Sequence, residues 1–219
     1  MRRALFLLMV IGLGIGPLHA GAWPRGEGNH FFSTTMRVAA SNLDGPFFTY
    51  NTFYYEYGLN DRVTIGADIG RAVSGEIKAI AYARMPVFLR SEHNRYAIEF
   101  GFGTIAGNTV ARPGLSFGRG ISTPWGHGWV SIESVAETTV STSQIDYKAD
   151  FTFGIDVHPK AKLILQMQTG APYGDPYFAR FAPSLVVKVS RKSHVEIGMT
   201  AGLVGDNQLG LKIGLWREF

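Results

Sequence analysis

From residue 207 to the last residue the chain alternates in twos. Leu209, Leu211, Ile213 and Leu215 fall on one face, and Phe219 ends the chain on that face. Gln208, Gly210, Lys212, Gly214 and Glu218 fall on the other. Successive side chains of a strand point in opposite directions, so this reads as a strand with one apolar and one polar side. A strand running to the final residue leaves a row of unpaired N–H and C=O groups that needs a partner. Pairing the last strand with the first, in a sheet closed on itself, supplies one.

The same alternation divides 29–219 into about twelve strands, each near the ~9–11 residues that a tilted membrane strand needs. The clearest pair is 47–59 with the strand that starts at Arg62, joined by a tight connection at Asn60-Asp61. The best alternation is 144–157, where Ile145, Tyr147, Phe151, Phe153 and Ile155 interleave with Asp146, Lys148, Asp150, Thr152 and Asp156. Pro86 falls near a strand end, where a missing donor is tolerated. The stretch 106–113 reads as the longest loop, followed by a strand from Gly114 to about Ser122. In that strand Arg119 shares parity with Leu115, Phe117 and Ile121. Either a bulge intervenes or Arg119 snorkels from near the strand's end. The pattern contains no helix and no second domain.

Ahead of the strands, Arg2 and Arg3 precede an apolar run, 4–15, and Leu18-His19-Ala20 forms a cleavage site before Gly21. This reads as a secretory signal over 1–20, followed by a polar, flexible lead-in over 21–28 and a barrel over 29–219. The chain has no cysteine, which excludes disulfides and thiolate chemistry. Its modest basic balance, part of it in Arg2 and Arg3, does not argue for nucleic acid.

A closed barrel can be soluble, with apolar rows inside, or membrane-spanning, with the sense inverted. The polar rows carry many glycines, among them Gly66, Gly101, Gly103, Gly118, Gly154, Gly198, Gly210 and Gly214. On a water-facing row glycine only weakens a strand. On a luminal row it relieves crowding and leaves space. The apolar rows are nearly free of charge. Aromatics gather at strand ends, with Tyr55, Tyr57, Tyr96 and Phe219 at one side and Phe48, Phe102, Tyr147 and Tyr177 at the other, as interfacial girdles do. The expectation is an all-β, antiparallel up-and-down transmembrane β-barrel.

The signal segment, the meander and a last strand ending in Phe219 resemble a Gram-negative outer-membrane β-barrel. Arg217 departs from that class, which usually has an apolar or aromatic residue two before the end. More narrowly, Gly21-Ala22-Trp23-Pro24 and the hairpin from Tyr55 to Gly66 look like uncharacterised proteobacterial barrels labelled putative transporters or phenol-degradation (MetA-pathway) proteins. The resemblance implies an outer-membrane location with both termini in the periplasm. It also implies lipid around the apolar rows, and Phe219 as the signal read by the barrel-assembly machinery.

With that orientation the outer connections are 41–46, 71–76, 106–113, 139–143, 171–176 and 204–208, and none contains a histidine. Barrel enzymes resemble one another in placing a histidine with serine or aspartate near the outer side. No catalytic residue is therefore expected, nor a cofactor. His30, His93, His127, His158 and His194 lie at the periplasmic end without the spacing of a metal site, and read as solvated or headgroup-facing turn residues.

The luminal rows carry the informative charges. Glu133, Glu137, Asp146, Asp150 and Asp156 form an acidic wall. Arg37, Arg180, Lys188 and Lys212 form a basic wall once the barrel closes, joined by Lys78 and Arg84. In a wet pore such a split orients dipolar solutes. In a narrow one the charges pair and fill the space. The leading expectation is a narrow passive channel for small polar or amphipathic solutes, with Arg37, Arg180, Lys212, Glu137, Asp146 and Asp150 at its constriction. A plugged structural or partner-binding barrel and a barrel enzyme are the alternatives.

Overall fold

A computed structural model describes residues 21–42, 44–87, 93–205 and 207–219. The segment 1–20, expected as a secretory signal, lies outside the described residues. Among the described residues twelve strands follow one another: β1 (His30–Ala40), β2 (Phe48–Gly58), β3 (Thr64–Ala72), β4 (Ile77–Pro86), β5 (Asn94–Ile105), β6 (Asn108–Thr123), β7 (Gly126–Thr139), β8 (Ile145–His158), β9 (Ala161–Ala171), β10 (Phe178–Lys188), β11 (Ser193–Val204) and β12 (Leu209–Glu218). Each pairs antiparallel with its sequence neighbours, and β12 pairs with β1 to close the barrel.

Closure extends to the last residue. The His30 amide donates to the Phe219 carbonyl at 2.7 Å, and the Phe219 amide donates back to the His30 carbonyl at 3.1 Å. The Phe219 ring stacks on His30, with centroids 5.1 Å apart, and the His30 ring lies 4.8 Å from that of Tyr57. Arg217 faces outward at this rim, its guanidinium 5.6 Å from the Phe219 centroid. The first and last strands thus share one end of the barrel, called here the terminal end.

Burial is inverted relative to a soluble core. Leu211 is 67% exposed, as are comparable fractions of Phe100, Leu115 and Ile197, whereas Glu56 is 1% exposed and Glu137 3%. The apolar rows face outward and the charged rows inward, which is the arrangement of a barrel whose solvent is lipid.

Two local expectations change, and one open alternative is decided. The stretch 106–113 is not a loop, because β5 and β6 join through Ala106 and Gly107 alone, with Ile105 opposite Asn108. Both turn residues have positive φ, 49° and 82°, as a two-residue hairpin of this twist requires. The β2–β3 connection is longer than Asn60-Asp61, since Gly58 pairs with Thr64. The Asn60 side-chain oxygen accepts from the amides of Arg62 and Val63, both at 2.8 Å, and so holds them out of the ladder. Around Arg119 the β6 pairings show no register shift, and Arg119 is exposed near the strand's terminal end, so it snorkels rather than sitting on a bulge. The register shifts occur instead at Ala179/Arg180 and at Asp156/His158.

Candidate functional site in the lumen

Residues 21–28 are not a free approach. They enter the terminal end and lie against the inner wall. Ala22 is wholly buried. The Arg25 guanidinium pairs with Glu56, lies 4.3 Å from the Phe31 ring centroid, and the Arg25 amide donates to Thr64 Oγ1 at 3.0 Å. A Cβ on Gly58 would collide with the Gly26 carbonyl, so only glycine on β2 lets this backbone pass.

Trp23 occupies the space above Gly118 of β6, which any side chain there would fill. The same complementarity recurs at Gly154 under Trp129, Gly66 under Tyr82 and Gly170 under Phe178. The luminal glycines were expected to leave open space. Rings occupy much of it instead, because a ring and a glycine together fill a lumen densely. Near the terminal end Trp129, Ile164 and Val186 form a buried apolar cluster, with Trp23 and Trp216 packed against it.

Farther in, the wall from β2 to β6 carries an ionic network. Arg84 donates to Glu56 at 2.8 Å and to Glu99 at 2.9 Å. Arg112 donates to the other oxygen of Glu99 at 2.9 Å and to Asp68 at 2.5 Å, and Lys78 reaches Asp68 at 2.7 Å. Tyr54 and Tyr82 also donate to Glu56, at 2.7 and 3.1 Å. A cation or carboxylate removed from bulk water is costly unless charge and hydrogen bonds compensate it. Here each strand supplies what its neighbour needs.

The charges therefore interleave instead of facing each other as two walls. Lys78 and Arg84, expected on the basic side, are held by carboxylates of β2, β3 and β5. Lys148 pairs with Glu137 and Lys212 with Glu196, each at 2.6 Å, and Lys162 pairs with Asp156 at 2.5 Å. Arg37 stands opposite Lys212 in the β1–β12 ladder, and Arg180 lies on β10 toward the far end. Asp146 sits at the far rim and accepts from the Tyr173 amide at 2.7 Å, away from any constriction. Asp156 and Lys188 lie at the terminal end. Glu133 and Asp150 are opposite each other on β7 and β8, and among the described residues no cation lies within ion-pair distance of either.

Sequence reasoning missed Arg112, because it fell in the expected loop. It also missed Asp68, Glu99 and Glu56 as partners. Their parity places them inside, but which cation each meets depends on register between strands. Trp23 and Arg25 carried no alternation to reveal their destination.

Two luminal cavities follow one another. One, of about 390 Å³, lies toward the far end beside Asp68, Arg112, Lys148 and Asp150. The other, of about 250 Å³, lies between it and the tryptophan cluster, beside Gly21, Glu56, Trp129 and Trp216. Tyr54, Glu133 and Gln166 line both, where the two cavities meet. This lumen can accept a small solute with hydrogen-bonding and apolar parts.

No family model matches the chain, and no curated protein matches it in sequence. Solved structures do match in shape. The KdgM porin in complex with disordered oligogalacturonate superposes with a TM-score of 0.62 at 9% identity, over 85% of this chain and 99% of that one. The COG4313 outer membrane channel from Pseudomonas putida F1 gives 0.60 at 10% identity, over 92% and 99%. The NanC porin gives 0.63 at 7% identity, over 84% and 98%. The chain has the fold of these porin-like outer-membrane barrels.

Proposed function

We propose that this protein is an outer-membrane channel that passes small polar or amphipathic solutes passively through a narrow lumen. The observation that carries the reading is the pair of successive luminal cavities, walled by ion-paired side chains and meeting at Tyr54, Glu133 and Gln166. An inert barrel gains nothing from retaining charged space along its axis, since apolar filling of the same volume is as stable or more so. The porins and channel of the same shape support the reading by their names. In the proposed orientation both termini are periplasmic, Leu211, Ile213 and Leu215 meet lipid, and Phe219 is the residue read by the assembly machinery.

One observation favours a second reading. The 21–28 segment enters the lumen, with Ala22 wholly buried and Arg25 paired to Glu56, as a plug in a structural barrel would. Single-channel recording of the refolded protein in a planar bilayer separates the two. Discrete current steps support the channel. Silence across a range of voltages supports the plugged barrel.

A further inference from the structure

A third cavity, of about 510 Å³, opens at the terminal end, below the tryptophan cluster. It is bounded by the β6–β7 and β8–β9 turns and by the last inward residues of β10 and β11. Four cations line it, Lys160, Lys162, Lys188 and Arg191, against two carboxylates, Asp156 and Glu218. Asp156 is engaged by Lys162. Among the described residues no carboxylate lies within ion-pair distance of Lys188.

The decisive group is His194. It is only 8% exposed, it lines the cavity, and its Nδ1 is buried with no hydrogen-bond partner among the described residues. Buried ring nitrogens ordinarily find a partner. In the β10–β11 ladder His194 stands opposite Lys188, and Lys162 stands opposite Val186 one step inward, so these three groups crowd one patch of wall. Two ammonium groups beside an unsatisfied buried ring nitrogen favour a negatively charged acceptor. A metal ion would meet repulsion from the lysines.

We infer that this cavity is a binding site for a small organic carboxylate, its head held by Lys188 and His194 Nδ1–H. Two features set the class. Lys162 is already taken by Asp156, so the head meets a single ammonium, Lys188, beside His194, which suits a singly charged group. Apolar surface from Trp125, which is exposed, lies beside the cations to receive a hydrocarbon body. In the proposed orientation this is the periplasmic mouth, so the site would hold a solute as it leaves the lumen. The inference deepens the channel reading and rests on it for that role.

The test is equilibrium binding of benzoate to the refolded full barrel in micelles, followed by saturation-transfer NMR, with neutral benzamide as the isostere. Expected are saturable benzoate binding, at least a tenfold loss in Lys188→Gln, retention in Lys188→Arg, and no effect of Arg62→Gln, a rim cation outside the cavity. Benzamide should not compete. The arginine variant shows that the glutamine effect is one of charge and not of folding. Equal binding in Lys188→Gln, competition by benzamide as strong as by benzoate, or no saturable binding would overturn the inference. So would displacement of benzoate by inorganic phosphate at equal or lower concentration, which would make the ligand a simple oxyanion. The measurement needs no conduction. A silent barrel that still binds benzoate removes the channel reading alone, and a conducting barrel that does not bind it removes this inference alone.

Discussion

The lumen is built in two different ways. On the β2–β6 side, Glu56, Asp68, Lys78, Arg84, Glu99 and Arg112 tie five adjacent strands together with ion pairs of 2.5–2.9 Å. Toward the terminal end, Trp23, Trp129 and Trp216 pack with Ile164 and Val186, and one of those rings belongs to a segment outside any strand. The ionic side belongs to the wall, with Arg25 of the lead-in as one added partner of Glu56. The aromatic side is shared between the wall and a removable piece. The first is therefore a frame that fixes the bore, and the second is the part that can regulate it. A bidentate network has few alternative geometries. A ring resting over glycine is held by dispersion and area, and can leave without stranding a charge.

Substitutions should separate the two roles. Arg84→Met should be the most damaging, because it takes the shared cation from Glu56 and Glu99 and leaves them Arg25 and Arg112 alone. Breaking one partner of a buried pair costs about 3–5 kcal/mol. Urea unfolding in micelles should report a loss of that order, and a wild-type midpoint would mean that the network is not a frame. Gly118→Val should come next. It forces its side chain into the Trp23 ring, and overpacking costs about 1–3 kcal/mol unless the ring moves. If Trp23 is removable, stability should fall by less than that while Trp fluorescence shifts to the red as the ring meets water. A full stability loss with unchanged fluorescence would place Trp23 in the frame. The smallest effect is expected from Glu133→Gln combined with Asp150→Asn. It removes two facing carboxylates that no cation among the described residues ion-pairs, and should lower cation preference, measured as the zero-current potential in a salt gradient. No shift in that potential would take both groups out of the ion path.

The alternation in the sequence was enough to find the strands, their order and the inverted faces, because a period of two is a local property and lipid demands it on every strand. The outward row of Leu209, Leu211 and Ile213 and the inward Lys212 follow from that alone. The β5–β6 turn was hidden because Ala106 is not a residue that announces positive φ, while Pro113 suggests a loop although it lies within β6. That error concealed Arg112. The ion pairs were hidden for another reason. Glu99 finds Arg84 and Arg112 only through the registers on both its sides, and no single strand encodes those. The docking of Trp23 over Gly118 joins segments far apart in the chain, and neither carries a mark of the other.

The most direct test of the division between frame and regulator is a planar-bilayer recording of the refolded barrel beside the same barrel lacking residues 21–28. The intact protein should give small, discrete current steps, and the shortened one clearly larger steps with its unfolding midpoint close to the wild type. Equal conductance in the two, or a shortened barrel that no longer folds, would contradict the account.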